Sequence, residues 1–242
     1  MFVIINNKNK HLYFNHKYKI KIHFFILVNK MYLFIFMTMV SLIYTILSYY
    51  GLIRYLSLHM NGVNSYLENY KNLDKADKDK NVIISLSVQP DKINKLKPMI
   101  NSILDQTVKV NQIVLNIPKD KNYNIPSEYK NIFTIFKCGR DYGECNKFIP
   151  TLLREENKNT IIILLDEKYV FGKDYIETII EEYKKEKCSI VSKGGILIIP
   201  EFFDMSIYNR KDKVLDNDWI KNCIKAKKKY ISTSDTYKIL NY

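Results

Sequence analysis

Hydrophobic and polar positions divide the chain into four stretches of different pattern. Residues 1–30 mix apolar positions with six lysines and three histidines and follow no packing period. Residues 31–53, MYLFIFMTMVSLIYTILSYYGLI, run for 23 positions without a charge. At helical rise that run is long enough to cross a bilayer, and it exceeds the ~7–15-residue core of a cleaved signal peptide. Residues 54–80 are polar, with alternating charge in KNLDKADKDK, and read as a stem or linker. From Asn81 to Tyr242, apolar runs of strand length alternate with segments of helical period. That alternation predicts an α/β domain with a mostly parallel sheet covered by helices.

Within the domain the first strand is expected at Val82–Val88, ended by Gln89-Pro90. Asp91 is placed to cap the next segment, and Pro98 suits the first turn of a helix with the stripe Ile93, Leu96, Met99, Ile100, Ile103 and Leu104. Strands follow at Asn111–Ile117 and Ile132–Phe136. After the loop CGRDYGECNKF a helix is expected from about Lys147 to Asn157. Ile161–Leu165 is five apolar β-formers running straight into Asp166 and Glu167, the pattern of a strand buried on both faces. A helix over Lys173–Lys187 carries Ile176, Ile179, Ile180 and Tyr183 on one face. Gly194-Gly195 opens a short strand, Ile196–Ile199, and a last helix begins near Asp216.

Charge changes the picture in one respect. The formal net charge is +13, but no acidic residue precedes Glu68, so the first 67 residues hold +7 and the remainder only +6. The domain is mildly basic and has no basic stripe interleaved with aromatics, which speaks against nucleic acid as a partner. Six lysines precede the apolar run, against Arg54 and Lys71 in the next 20 or so residues. The positive-inside rule then predicts a single-pass membrane protein with a cytosolic N-terminus and the domain on the luminal or external side. If translation begins at Met31, most of that asymmetry vanishes. The cysteines, at 138, 145, 188 and 223, form no C-x-x-C pair and have no His at ligand spacing, so zinc is not expected. Buried thiols are the default, with a disulfide open if the domain faces an oxidising lumen.

The chain lacks G-x-x-x-x-G-K-[ST], G-x-G-x-x-G after its first strand, and G-x-S-x-G. P-loop, dinucleotide-binding and hydrolase-elbow chemistries are therefore not indicated. What remains is polar residues at strand ends: Arg140, Asp141, Tyr142, Gly143 and Lys147, then Asp166 and Glu167, then the Gly194-Gly195 turn and Asp216-Asn217-Asp218-Trp219. By themselves these positions also suit turns, caps and solvated charges.

In order, VIISLSVQPDKINKLKPMINSILDQT, RDYGECNKFIP and IIILLDEKYVFGKDYIETII resemble the core of a GT-A-fold nucleotide-sugar glycosyltransferase, similar to family 2 and its Asp-Tyr-Gly…Lys branch. The resemblance runs from about Asn81 to Ile180 and continues more weakly to about Tyr230. It implies a membrane-anchored enzyme that moves a sugar from a nucleoside diphosphate to a hydroxyl of a glycan, protein or lipid acceptor. Asp141, Gly143 and Lys147 would bind the donor, with Lys147 facing phosphate. Asp166 and Glu167 would hold Mn2+ or Mg2+, and a carboxylate of Asp216 or Asp218 would be the catalytic base.

The chain departs from the family pattern twice. Lys168 stands where a further Asp is expected, and an ammonium cannot ligate a cation. Either Asp166 and Glu167 suffice, or Lys168 itself meets the donor's charge, or the protein binds without catalysis. The base position falls on Asn217 in one alignment and on Asp218 after a one-residue shift. Asp218 is preferred, because an acidic helix start followed by a basic helix then fits.

Overall fold

The computed structural model describes residues 7–49, 51–155, 157, 159–203, 216–224, 227–233 and 236–238. The chain splits into two compact units, Met1–Arg54 and Tyr55–Tyr242.

The first unit is built on one helix, α1 (Asn7–Tyr49). Its stretch His23–Tyr49, 27 residues containing an 18-residue window of mean hydropathy 1.9, is long and apolar enough to cross a membrane. Large apolar side chains such as Phe34 and Tyr44 are exposed on it. A helix that is apolar all round matches a lipid environment better than water. The apolar run outlasts the helix: Gly51, at φ 67°, follows its end, and α2 (Leu52–Met60) begins immediately after.

The second unit begins within α2, at Tyr55, and continues with α3 (Val63–Lys71), β1 (Val82–Ser87), α4 (Lys97–Leu104), β2 (Gln112–Pro118), β3 (Thr134–Cys138), α5 (Ile149–Arg154) and β4 (Ile161–Leu165). Then come β5 (Tyr169–Val170), α6 (Tyr175–Glu186), β6 (Ser189–Ser192), β7 (Gly195–Ile198), α7 (Asn217–Cys223), β8 (Lys228–Tyr230) and β9 (Tyr237–Lys238). Seven strands form one sheet in the order β3-β2-β1-β4-β7-β6-β8, and β5 pairs with β9 apart from it. The pairs β1–β2, β2–β3, β1–β4 and β6–β8 are parallel, while β7 runs antiparallel to β4 and β6. The expected α/β fold, a mostly parallel sheet with helices on both faces, is what the chain adopts.

Alternation along β4 shows why five apolar residues in a row are needed. Ile161, Ile163 and Leu165 enter one core with Met99, Ile103, Ile176 and Ile180. Ile162 and Leu164 enter the other with Phe148, Leu152, Trp219 and Ile220. Burying each such side chain contributes about 1.5–3 kcal/mol, so a polar residue anywhere in β4 is costly.

Three segments differ from the sequence expectation. Residues 54–80 are not wholly a stem: Leu58, Val63, Leu67 and Tyr70 are buried in the first core. Asn101 Nδ2 ties in α2 by donating to the Leu58 carbonyl at 2.8 Å and to the Asn61 carbonyl at 3.2 Å. β3 starts two residues late, because Ile132 and Phe133 close the 3-10 turn Ser127–Asn131 through N–H bonds to the Tyr129 carbonyl. The helix expected from Lys147 is a 3-10 turn, Gly143–Lys147, followed by the short α5. Pro150 in the first turn of α5 explains the restart, since proline has no N–H to give an earlier turn. The four cysteines are buried free thiols.

Candidate functional site

From β1 the chain builds outward through β2 to β3, then returns to place β4 on the other side of β1. Loops leaving β1 and β4 therefore diverge and open a crevice at the carboxyl ends of the strands, where open α/β sheets bind ligands. A cavity of about 220 Å³ lies there. Its wall combines Ser87 at the end of β1 and Gln89 after it, Lys121 and Tyr123 after β2, Asp141, Gly143 and Lys147 after β3, and Asp166, Glu167 and Lys168 after β4.

The loop after β3 is held from within. Asp141 Oδ1 accepts from the Gly143 N–H at 2.9 Å and from Asn146 Nδ2 at 2.7 Å, while Lys121 Nζ pairs with Oδ2 at 2.6 Å. Burial pushes the Asp141 carboxyl upward, but Lys121, Asn146 and the Gly143 N–H outweigh it and hold the group below the usual carboxylate range. Gly143 sits at φ +59°, in left-handed backbone. No atom lies within 4 Å of where a Cβ would stand, so the glycine is required by its dihedral and not by crowding within the protein.

Lys147 ends the 3-10 turn and is only 3 % exposed. Its carbonyl accepts from the Ser85 hydroxyl, which also hydrogen-bonds Thr151 Oγ1 at 2.7 Å. Asn116 Nδ2 donates to Ser85 Oγ at 3.0 Å and to Thr151 Oγ1 at 2.9 Å. This buried polar network pins the Lys147 turn and α5 to β1 and β2. The Lys147 ammonium has no hydrogen-bond or ion-pair partner among the described residues.

At the end of β4, the Asp166 N–H donates to the Gly194 carbonyl at 2.8 Å, so the β6–β7 turn fixes the acidic pair. Asp166 Oδ1 accepts from the Lys168 N–H at 3.1 Å, and Oδ2 faces Asn217 Nδ2 at 3.5 Å. Glu167 is raised above the usual carboxylate range by burial first and by the neighbouring Asp166 charge second. Lys147 and Lys168 pull it the other way with less effect.

Six of the sequence candidates thus meet on one cavity: Asp141, Gly143, Lys147, Asp166, Glu167 and Lys168. The other two do not line it. Asp216 caps α7, with Oδ1 accepting from the Trp219 N–H at 2.8 Å. Asp218 has a side chain 80 % exposed and pairs with Lys221 at 2.7 Å, which keeps its carboxyl below the usual range. Of the trio, Asn217 is the residue that faces Asp166. Trp219 is core, edge-on to Phe148 at 6.2 Å. Sequence reading missed Lys121, Tyr123, Ser85 and Asn116. An Asn in the middle of the apolar strand QIVLNIP was the one available signal.

A divalent ion on a diphosphate requires hard oxygen donors. Among the described residues no group of three or more His, Cys, Asp or Glu is placed to hold one. The end of β4 supplies two carboxylates, Asp166 and Glu167, one short of such a group. With Lys168 beside them, this donor set does not fit a divalent cation.

No family model matches the chain, and no curated protein matches it. Among solved structures it is similar to a mannosyltransferase from Pyrobaculum calidifontis in complex with GDP-Man and Mn2+, at 10 % identity and a TM-score of 0.37. The match covers 58 % of this chain and 45 % of that one, so the chain spans less than half of that protein's length.

Proposed function

We propose that the second unit is a GT-A-like glycosyltransferase domain that binds a nucleoside-diphosphate sugar in the cavity beyond β1 and β4 and transfers the sugar to an acceptor hydroxyl. The observation that carries this reading is the convergence of Asp141, Gly143, Lys147, Asp166, Glu167 and Lys168, from two separate loops, on one crevice at the strand-order reversal. Asp141 offers acceptor oxygens suited to a ribose or a base, and Lys147 offers a cation to phosphate. Water is partly excluded from that wall, which strengthens both interactions. Asp218, or Asp216, is the proposed base for the acceptor hydroxyl.

α1 serves in this reading as a membrane anchor, with the N-terminal lysines on the cytosolic side and the domain across the membrane. Protease protection in sealed vesicles tests it: digestion of the domain from the cytosolic face rejects this orientation.

A second reading is favoured by Asn217. The residue of the 216–218 trio that faces Asp166 is an amide, which cannot take a proton. A tethered protein that binds a nucleotide or glycan without transferring sugar would have this arrangement. Full-length protein in detergent, incubated with a panel of nucleotide sugars, separates the two. Donor hydrolysis that disappears in Asp166→Ala and Asp218→Ala supports the enzyme. Binding without turnover for every donor supports the second reading, and no binding at all rejects both.

A further inference from the structure

The cavity holds an unusual lysine. Lys147 is 3 % exposed, lines the cavity, and has no hydrogen-bond or ion-pair partner among the described residues. A lysine with this little exposure and no partner within the protein is placed to meet an anion that enters the cavity. Lys168 lines the same cavity, and its side chain likewise has no partner among the described residues. Both cations reach Glu167 with their fields. Lys121, a third lysine of the wall, is already committed to Asp141 at 2.6 Å.

The carboxylates beside these lysines are committed in the opposite sense. Asp166 turns both oxygens to protein N–H donors, the Lys168 amide and the Asn217 side chain. A metal held by Asp166 would share its oxygens with these donors and would meet the charge of Lys168 beside it. The turn that presents Lys147 is rigidly built, because Ser85 holds its carbonyl while Thr151 and Asn116 hold Ser85. A fixed cation can offset phosphate charge without coordination chemistry.

We propose that the cavity is a metal-independent diphosphate cradle, in which Lys147 and Lys168 take the role that a divalent ion plays in a carboxylate-based donor site. The proposal rests on the donor-site reading above and specifies how that site meets the diphosphate. In the transfer reaction the two ammonium groups would stabilise the charge left on the departing nucleoside diphosphate as the anomeric bond breaks.

The test is equilibrium binding to the full chain in detergent micelles, with UDP, GDP and inorganic pyrophosphate as probes, in EDTA and again with Mn2+ or Mg2+. The cradle predicts that affinity in EDTA stays within about twofold of that with metal. Lys147→Met should weaken binding about 10- to 100-fold, the worth of one hydrogen bond to a charged group. Lys147→Arg should retain most of the affinity, and Lys168→Gln should lose less than Lys147→Met. Thermal melts check that each variant folds; if Lys147→Met does not, the metal dependence of the native protein and the Lys168→Gln loss decide. Binding that needs added metal and vanishes in Asp166→Asn overturns the cradle while leaving the donor reading intact. Pyrophosphate that binds through Lys147 as well as either nucleotide does supports the cradle and counts against the nucleoside reading. No binding by any probe overturns both.

Discussion

Asp166 Oδ2 and Asn217 Nδ2 face each other at 3.5 Å, joining the end of β4 to the start of α7. The amide is neutral, so it meets the carboxylate without adding charge. Asn217→Asp would put a second carboxylate at this distance. Like charges so close disfavour double ionisation, at a cost of about 1 kcal/mol for half-exposed groups. The repulsion needs both carboxylates, so the loss should disappear when Asn217→Asp is made in an Asp166→Asn background. Thermal melts of the two singles and the double read this directly, and an unchanged loss in that background would show that the two side chains do not meet.

Asp141 makes a pH-dependent contribution. Lys121, Asn146 and the Gly143 N–H hold its carboxyl below its unfolded value despite burial. A depressed carboxylate stabilises the fold above its unfolded pKa, near 4, and the contribution is lost as pH falls through the folded value. Melts between pH 6 and pH 3 should therefore show an acid-side decline that is shallower in Asp141→Asn. A decline of the same slope in the variant would falsify the assignment.

Much of this architecture was legible along the chain, and the exceptions have physical causes. β4 was legible because both faces are covered, which leaves five consecutive apolar residues and no alternation to misread. α6 was legible from its period. The packing of α2 and α3 was not, because four buried residues spread among Asn, Glu and Lys make too sparse a stripe. The cavity residues of the loops after β3 and β4 stood out because they closely follow strands. Lys121 did not, since its pairing with Asp141 joins two loops with no common pattern. Which residue of 216–218 faces the strand end depends on how α7 is capped, and the cap belongs to Asp216.

The network beneath Lys147 is expected to act as a unit. Asn116 is fully buried and donates to both Ser85 and Thr151. Thr151→Val keeps the shape but removes an acceptor, at a cost of about 1–3 kcal/mol for the polar groups left short of partners. Ser85→Ala should cost a similar amount. Because the two hydroxyls share partners, the double variant should depart from additivity by about 0.5–3 kcal/mol. Denaturant midpoints for the two singles and the double measure the coupling; simple additivity would mean the hydroxyls act separately.

The turn that supports Asp166 gives the sharpest steric prediction. Gly195 lies directly under the Tyr175 ring: an added Cβ would fall inside the tyrosine hydroxyl, 3.2 Å from its Cζ and 3.0 Å from Leu165 Cδ2. Tyr175 is fully buried and hydrogen-bonded to Ser192, so it has nowhere to swing. Gly195→Ala should therefore cost about 1–3 kcal/mol through overpacking. Gly143→Ala, with open space around it, should cost only the left-handed backbone strain of about 1–2 kcal/mol. The distinguishing experiment is rescue. Tyr175→Phe removes the clashing oxygen and leaves ring carbon at a tight but tolerable distance, so Gly195→Ala with Tyr175→Phe should be more stable than the sum of the single losses predicts. The same Tyr175→Phe background should do nothing for Gly143→Ala, whose strain is local to its own dihedral. Since the Gly194 carbonyl holds the Asp166 N–H, the unrescued Gly195→Ala protein should also bind pyrophosphate more weakly, with affinity returning in the double variant. A Gly195→Ala protein as stable as the native chain would show that the turn does not pack against Tyr175 in this way.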